Sequence, residues 1–244
     1  NKPNFIIFFA DDLGYGDLSY NGHPTIYTPN IDYYALSGMR LTTWYSGFHI
    51  CSPSRAAMLT GRLCVRSGCC GGWTGGVFGN GAVGGLPTNE TTFATILKKV
   101  GYKTKAIGKW HLGVKEEYMP LNHGFDEYLG IPYSVDMGCS VWNQCKTNIL
   151  PLVKDNSTVV QQPMDLSKLS NTYYDSAVKF INDSIAEDKP FVLYFPHSHV
   201  HVPDYMSPIN CNKSIRGFFG AAVEELDQLI GDVMQYVKSR NIDS

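Results

Sequence analysis

Two apolar runs without polar alternation, N-F-I-I-F-F-A over 4–10 and F-V-L-Y-F over 191–195, predict strands buried on both faces, the habit of parallel strands inside a sheet. Shorter strands are expected over 103–107 and over 41–45. Between the strands the apolar period changes to that of helices. Phe93, Ile96, Leu97 and Val100 mark a helix over 91–100 that stops at Gly101. Tyr174, Ala177, Val178, Ile181 and Ile185 mark a second one capped by Ser170, and Phe219, Ala222, Leu226, Leu229, Ile230, Val233 and Val237 mark a long one over about 217–239. Thr28 with Pro29 opens a helix that Gly38 closes. The pattern is that of an α/β domain. Two stretches lack a period: 151–168, read as an exposed loop, and 68–85. Nine of the eighteen positions in the latter are glycine, and no Gly-Lys-Ser/Thr follows, so it predicts a loop and not a nucleotide site.

Candidate chemistry gathers where predicted strands end or helices begin. The run C-S-P-S-R-A-A-M-L-T-G-R over 51–62 reads as a short helix starting at Cys51. A helix start presents free N–H groups and the positive dipole end, so an anion is favoured beside Cys51, with Arg55 as a fork of donors. The alternative is a buried structural cysteine with a surface arginine. Asp11-Asp12 follows the first strand, where a carboxylate pair can hold a hard cation, or can simply cap a turn. His197, His199 and His201 alternate after the last strand and offer a zinc alternative, although no other His/Cys cluster completes such a site.

The pattern Cys-x-Pro-Ser-Arg-x-x-x-Leu-Thr-Gly-Arg at 51–62 resembles the type I sulfatase signature and matches each of its specified positions. G-Y-K-T-K-A-I-G-K-W-H-L over 101–112 resembles the second signature of that family, and Gly124-Phe125-Asp126 with G-I-P-Y-S over 130–134 is similar to arylsulfatases of the A type. The resemblance implies an alkaline-phosphatase-like sulfatase fold, with a mostly parallel central sheet and helices on both faces. It implies that Cys51 matures to Cα-formylglycine, made by a formylglycine-generating enzyme, and that its hydrated aldehyde is the nucleophile. Arg55, Lys109, His111 and His199 then become catalytic, with Lys109, His199 and Ser134 contacting the sulfate ester. The implied cofactor is one divalent cation, calcium favoured over magnesium, held by Asp11, Asp12 and residue 51; Gly14 to Asp17 also match. His197 and His201 receive no role. The resemblance covers the N-terminal part of the family fold, so residues 1–244 are expected to form an incomplete catalytic domain ending before an Asp-Asn metal-ligand strand. A C-terminal remainder or a second chain would complete it.

Composition narrows the alternatives. With 20 basic and 22 acidic residues mixed along the chain and a net charge of -2, no basic stripe for nucleic acid exists. The apolar runs are too short to span a bilayer. The chain opens at Asn1 without a leader-like segment, which suits either a cytosolic protein or a matured one. Six cysteines besides Cys51, namely Cys64, Cys69, Cys70, Cys139, Cys145 and Cys211, and four sequons at Asn89, Asn156, Asn182 and Asn212 favour a secreted or lysosomal glycoprotein. Cys139–Cys145 is the expected local bridge. Two further readings stay open: a phosphate or phosphonate ester hydrolase of the same superfamily, and a non-catalytic secreted glycoprotein of this fold used for glycan binding or structure.

Overall fold

The structure is a computed structural model and describes residues 2–70, 76–138 and 149–243. Among these, the strands are β1 (Phe5–Phe9), β2 (Lys103–Lys109), β3 (Glu127–Ile131), β4 (Leu152–Lys154), β5 (Thr158–Gln161) and β6 (Phe191–Pro196). They form one sheet in the order β1-β6-β2-β3-β4-β5. The first four in that order run parallel, and β4 pairs antiparallel with β3 and with β5.

Register explains why the central runs are apolar at every position. Ile7, Tyr194, Ala106 and Tyr128 lie in one row across four strands, and their side chains share one face. That face is covered by helices α2 (Cys51–Thr60) and α4 (Phe93–Lys99), which contribute Ala56, Leu59 and Ala94 to a core with Trp110, Leu112 and Phe125. The opposite face, with Ile107, Leu193 and Phe195, is covered by α5 (Leu169–Ala186) and α6 (Gly217–Ser239). A strand so sandwiched has no water on either side, hence β6 is buried at all six positions. Truncating Phe195 to Ala would cost about 3–5 kcal/mol through lost transfer energy and the cavity left behind. Two further α-helices among the described residues are α1 (Pro29–Ser37), packed on α6, and α3 (Cys64–Ser67), after the turn that ends α2.

Four expectations change. Residues 41–45 form no strand; they are turn and extended backbone, with Trp44 and Tyr45 mostly exposed, because no sheet edge lies beside them among the described residues. The 151–168 stretch is not a free loop. It supplies the β4–β5 hairpin, and Leu152, Val153 and Met164 enter the core, while the outer strand β5 is exposed at all four positions, Val159 and Val160 included. β1 is parallel as expected but stands at the sheet edge among the described residues, with Phe5 exposed and the other four positions half-buried. The buried stripe of α5 runs through Tyr173, Ala177, Phe180, Ile181 and Ser184, leaving Tyr174 and Ile185 at its margin. The expected Cys139–Cys145 bridge lies outside the described residues.

Candidate active site

The four parallel strands end on one rim of the sheet, and their exits carry every strand-end candidate. β1 delivers Asp11 and Asp12, β2 delivers Lys109 to His111, β3 leads to Ser134, and β6 leads to His197–His201. Close strand approach at the rim depends on two glycines. Gly108 has φ +134, and a Cβ there would sit 2.1 Å from the Pro196 carbonyl oxygen; a Cβ on Gly130 would sit 1.8 Å from the Gly108 carbonyl oxygen. Any side chain at either position would push apart the strand ends that hold Lys109 and the histidine segment.

Cys51 occupies the first position of α2, with no side chain capping the helix start. Its Sγ lies 3.7 Å from Asp11 Oδ1 and 3.4 Å from Lys109 Nζ. Asp11 is buried between two cations: Lys109 Nζ donates to Oδ2 at 2.6 Å, and Arg55 Nη2 pairs with Oδ1 at 3.0 Å. Burial alone would raise the Asp11 pKa, but Arg55 and Lys109 overcome it and hold the carboxyl well below the usual carboxylate range. Lys109 also donates to Ser134 Oγ at 2.9 Å, and Arg55 Nη1 donates to the Lys109 carbonyl at 2.8 Å. Arg55 Nε has no hydrogen-bond partner among the described residues, so part of a buried guanidinium remains available for an anion. A cleft of about 400 Å³ opens over this group, lined by Asp11, Asp12, Phe48, His49, Cys51 and Arg55 among others.

The histidines divide. His111 is buried at φ +57, with neither ring nitrogen hydrogen-bonded among the described residues. Its pKa is pushed well below the ordinary value by burial first and by Lys109 and Arg55 next, which disfavours the protonated ring. His201, which the sequence offered as one of three alternating histidines and the resemblance left without a role, is the histidine that joins Asp11 and Cys51: one ligand-type atom from each lies within 4.8 Å of the others. Its Nε2 is also 3.5 Å from Asp12 Oδ2. His199 points elsewhere, with Nε2 3.2 Å from Glu225 Oε1 and its ring stacked on Tyr205. His197 is buried beneath it, its Nδ1 accepting from the His199 N–H at 2.9 Å. The three do not converge as a zinc site among the described residues.

For a divalent cation the donor chemistry fits in part. Asp11 and Asp12 are adjacent carboxylates, the ligand type that calcium and magnesium take, whereas Cys51 Sγ and His201 suit softer ions. Two carboxylates supply only a fraction of a shell of six or more oxygens.

Among the sequons, Asn89 and Asn212 are exposed. Asn156 is half-buried in the hairpin turn, and Asn182 lies within α5, where its side-chain oxygen accepts from Tyr236 at 2.5 Å. Cys51, Cys64, Cys69, Cys70 and Cys211 are free thiols. No helix among the described residues is long and apolar enough to cross a membrane.

The sulfatase family model matches residues 3–244. Arylsulfatase G of Canis lupus familiaris is 40% identical over 97% of this chain and 47% of that protein, and arylsulfatase A of Homo sapiens is 40% identical over 95% and 48%. The chain thus spans about half the length of these relatives. Among solved structures, the PsFucS1 sulfatase from Pseudoalteromonas sp. superposes with a TM-score of 0.81 at 33% identity, covering 99% of this chain and 53% of that one. A phosphonate monoester hydrolase of Agrobacterium radiobacter shares the fold alone, with a TM-score of 0.68 at 15% identity and cover of 99% and 60%. With its signature residues assembled on one rim of a sulfatase-type sheet and the family model matched along nearly its whole length, this chain belongs to the sulfatase family.

Proposed function

We propose that the intact protein hydrolyses sulfate esters, with a formylglycine matured from Cys51 as the nucleophile. The observation that carries this reading is the placement of Cys51 at an uncapped helix start against Asp11, Lys109, Arg55 and His201. An aldehyde hydrate there places its two hydroxyls among cations that favour an oxyanion and hold a sulfate group. One hydroxyl gives its proton to solvent and its oxygen attacks sulfur. The S–O bond to the alcohol breaks, and the alcohol leaves with a proton from His201, the role the resemblance gave to His199; the geometry supports His201 because His199 is turned to Glu225. His111, with neither ring nitrogen hydrogen-bonded among the described residues, then takes the proton of the second hydroxyl. The carbonyl reforms, the carbon–oxygen bond to sulfate breaks, and water restores the hydrate. Lys109 and Arg55 balance charge throughout, and Ser134 fixes the Lys109 ammonium. Asp11, Asp12 and residue 51 would hold a divalent cation, calcium favoured over magnesium, which supplies Lewis-acid stabilisation of the oxyanion when bound.

Residues 1–244 would form the N-terminal part of the catalytic domain, completed by a further segment or chain. The exposed sequons at Asn89 and Asn212 support a secreted or lysosomal glycoprotein, with maturation of Cys51 by a formylglycine-generating enzyme. Mass spectrometry of the Cys51 peptide combined with initial rates on matched aryl sulfate and aryl phosphate tests the reading. An aldehyde at residue 51 and faster sulfate turnover are expected. An unmodified thiol in active protein, or faster phosphate turnover, would sink it, the latter in favour of the phosphate or phosphonate reading.

A further inference from the structure

Glu225 lies on α6, outside the cluster around Cys51, yet it is a charged side chain left only 4% exposed. Its two oxygens gather donors from three separate segments. Oε1 accepts from Ser170 at the start of α5 at 2.7 Å and from His199 Nε2 at 3.2 Å. Oε2 accepts from the Ser207 N–H and hydroxyl, both at 2.7 Å, and from Asn210 Nδ2 at 2.8 Å. Burial would raise its pKa, but these hydrogen bonds, His199 first, hold it well below the usual carboxylate range. A carboxylate that fully satisfied anchors whatever donates to it.

His199 joins this anchor to the site. Its carbonyl accepts from the Asp11 N–H at 2.8 Å, and the next residue, Val200, donates to the Asp11 carbonyl at 2.7 Å. This pair of backbone bonds fixes Asp11 against the histidine segment. His201, two residues on, donates its N–H to the Ser198 carbonyl at 3.0 Å and places its ring with Asp11 and Cys51. We propose that Glu225 is a positioning residue for the site: by holding the His199 imidazole from α6, it fixes the Asp11 backbone pair and the His201 ring against Cys51. Glu225 touches neither substrate nor nucleophile; it acts through His199.

The test uses the full-length enzyme and rests on the sulfatase reading, with turnover of aryl sulfate by the unaltered enzyme carrying that reading and the variant ratios carrying this one. Glu225→Gln and His199→Ala are each expected to lower kcat at least about tenfold with KM within about twofold. Combined, they are expected to cost no more than the worse single change, as in a shared interaction. Ser170→Ala removes a hydrogen bond from the same carboxylate without touching His199, and is expected to hold kcat within about twofold even where Tm falls. Unchanged kcat in Glu225→Gln, multiplicative losses in the double variant, or an equal loss in Ser170→Ala would overturn the proposal. A readout independent of turnover is the 1H–15N spectrum of the histidine rings, with His201 assigned through His201→Gln. The His201 signals shift in Glu225→Gln if the anchor acts through His199, and an unmoved signal refutes it whether or not the unaltered enzyme hydrolyses sulfate.

Discussion

Replacing Lys109 by methionine isolates the electrostatics beneath Cys51. The lysine is fully buried, and its ammonium meets Asp11 Oδ2 at 2.6 Å and Ser134 Oγ at 2.9 Å. Methionine keeps most of the apolar stem, so little cavity energy enters, but Asp11 remains buried with Arg55 as its remaining close cation. Breaking a buried pair by removing one partner costs about 3–5 kcal/mol, and the lost bond to Ser134 adds about 1 kcal/mol, for a total of about 4–6 kcal/mol. The loss depends on pH in a defined direction. Asp11 has a depressed pKa when folded, so its stabilisation is complete above the unfolded value of 3.8 and disappears as pH falls through the folded value. The variant raises the folded pKa of Asp11, so the gap between the two proteins narrows below pH 3.8. Urea unfolding followed by tryptophan fluorescence, on chelator-treated protein at neutral pH and near pH 3, measures both quantities. A loss under about 1.5 kcal/mol at neutral pH, or a gap that does not narrow in acid, would refute the picture of Asp11 as an ion held charged by Lys109.

Other measurements probe separate parts of the molecule. His123 is buried against Trp110, and burial lowers its pKa from 6.5 to about 4 despite the Tyr118 carbonyl nearby. The unfolded chain therefore takes the proton first: stability is complete above pH 6.5 and falls towards pH 4, by about 3 kcal/mol at about 1.4 kcal/mol per pH unit. His123→Leu should flatten that limb of the Tm–pH curve, and an unaltered slope would show that other groups govern it. Treating the enzyme with a chelator should abolish turnover and added calcium should restore it better than magnesium, whereas full activity after chelation removes the metal from the mechanism. Cys51→Ala should reduce aryl sulfate turnover by about a thousandfold or more while the urea midpoint barely moves, and residual activity near that of the unaltered enzyme would exclude residue 51 as nucleophile.

The strongest periods in the sequence were the easiest to place. β6 and α6 follow their apolar patterns because β6 is buried on both faces, between the two cores, and α6 along one stripe, where the hydrophobic effect leaves little choice. The 152–161 hairpin has no such signal. β4 is three residues long and β5 is exposed, so alternation is too short to detect and pairing with β3 comes from tertiary structure. β3 itself, with Gly130 inside it, reads as a poor strand, although the glycine is required by the approach of the Gly108 carbonyl. Conversely, 41–45 has strand-forming residues and no partner strand beside it among the described residues, and local preference alone does not make a sheet.

The site shows the same limit at the scale of single side chains. Cys51 at the start of α2, Lys109 at the end of β2 and Asp11 just past β1 stand where the apolar pattern marks element ends, with Arg55 one turn into α2, and the resemblance to the two signatures gave these residues their roles. His199 and His201 were not legible in this way, since an alternating H-x-H-x-H pattern puts all three rings on one face only if the backbone stays extended. It does not: the chain turns after β6, with the His197 N–H bonded to the Phe195 carbonyl and the His201 N–H to that of Ser198. The turn sends the His199 ring to Glu225 and the His201 ring to Cys51. The two roles separate by leaving group. If His201 protonates the departing alcohol, His201→Ala should cost little on an activated nitrophenyl sulfate and about a hundredfold or more on an alkyl sulfate that needs the proton. His199→Ala disturbs position and not proton supply, so it should lower both rates by a similar factor. Opposite behaviour of the two variants would return the leaving-group role to His199.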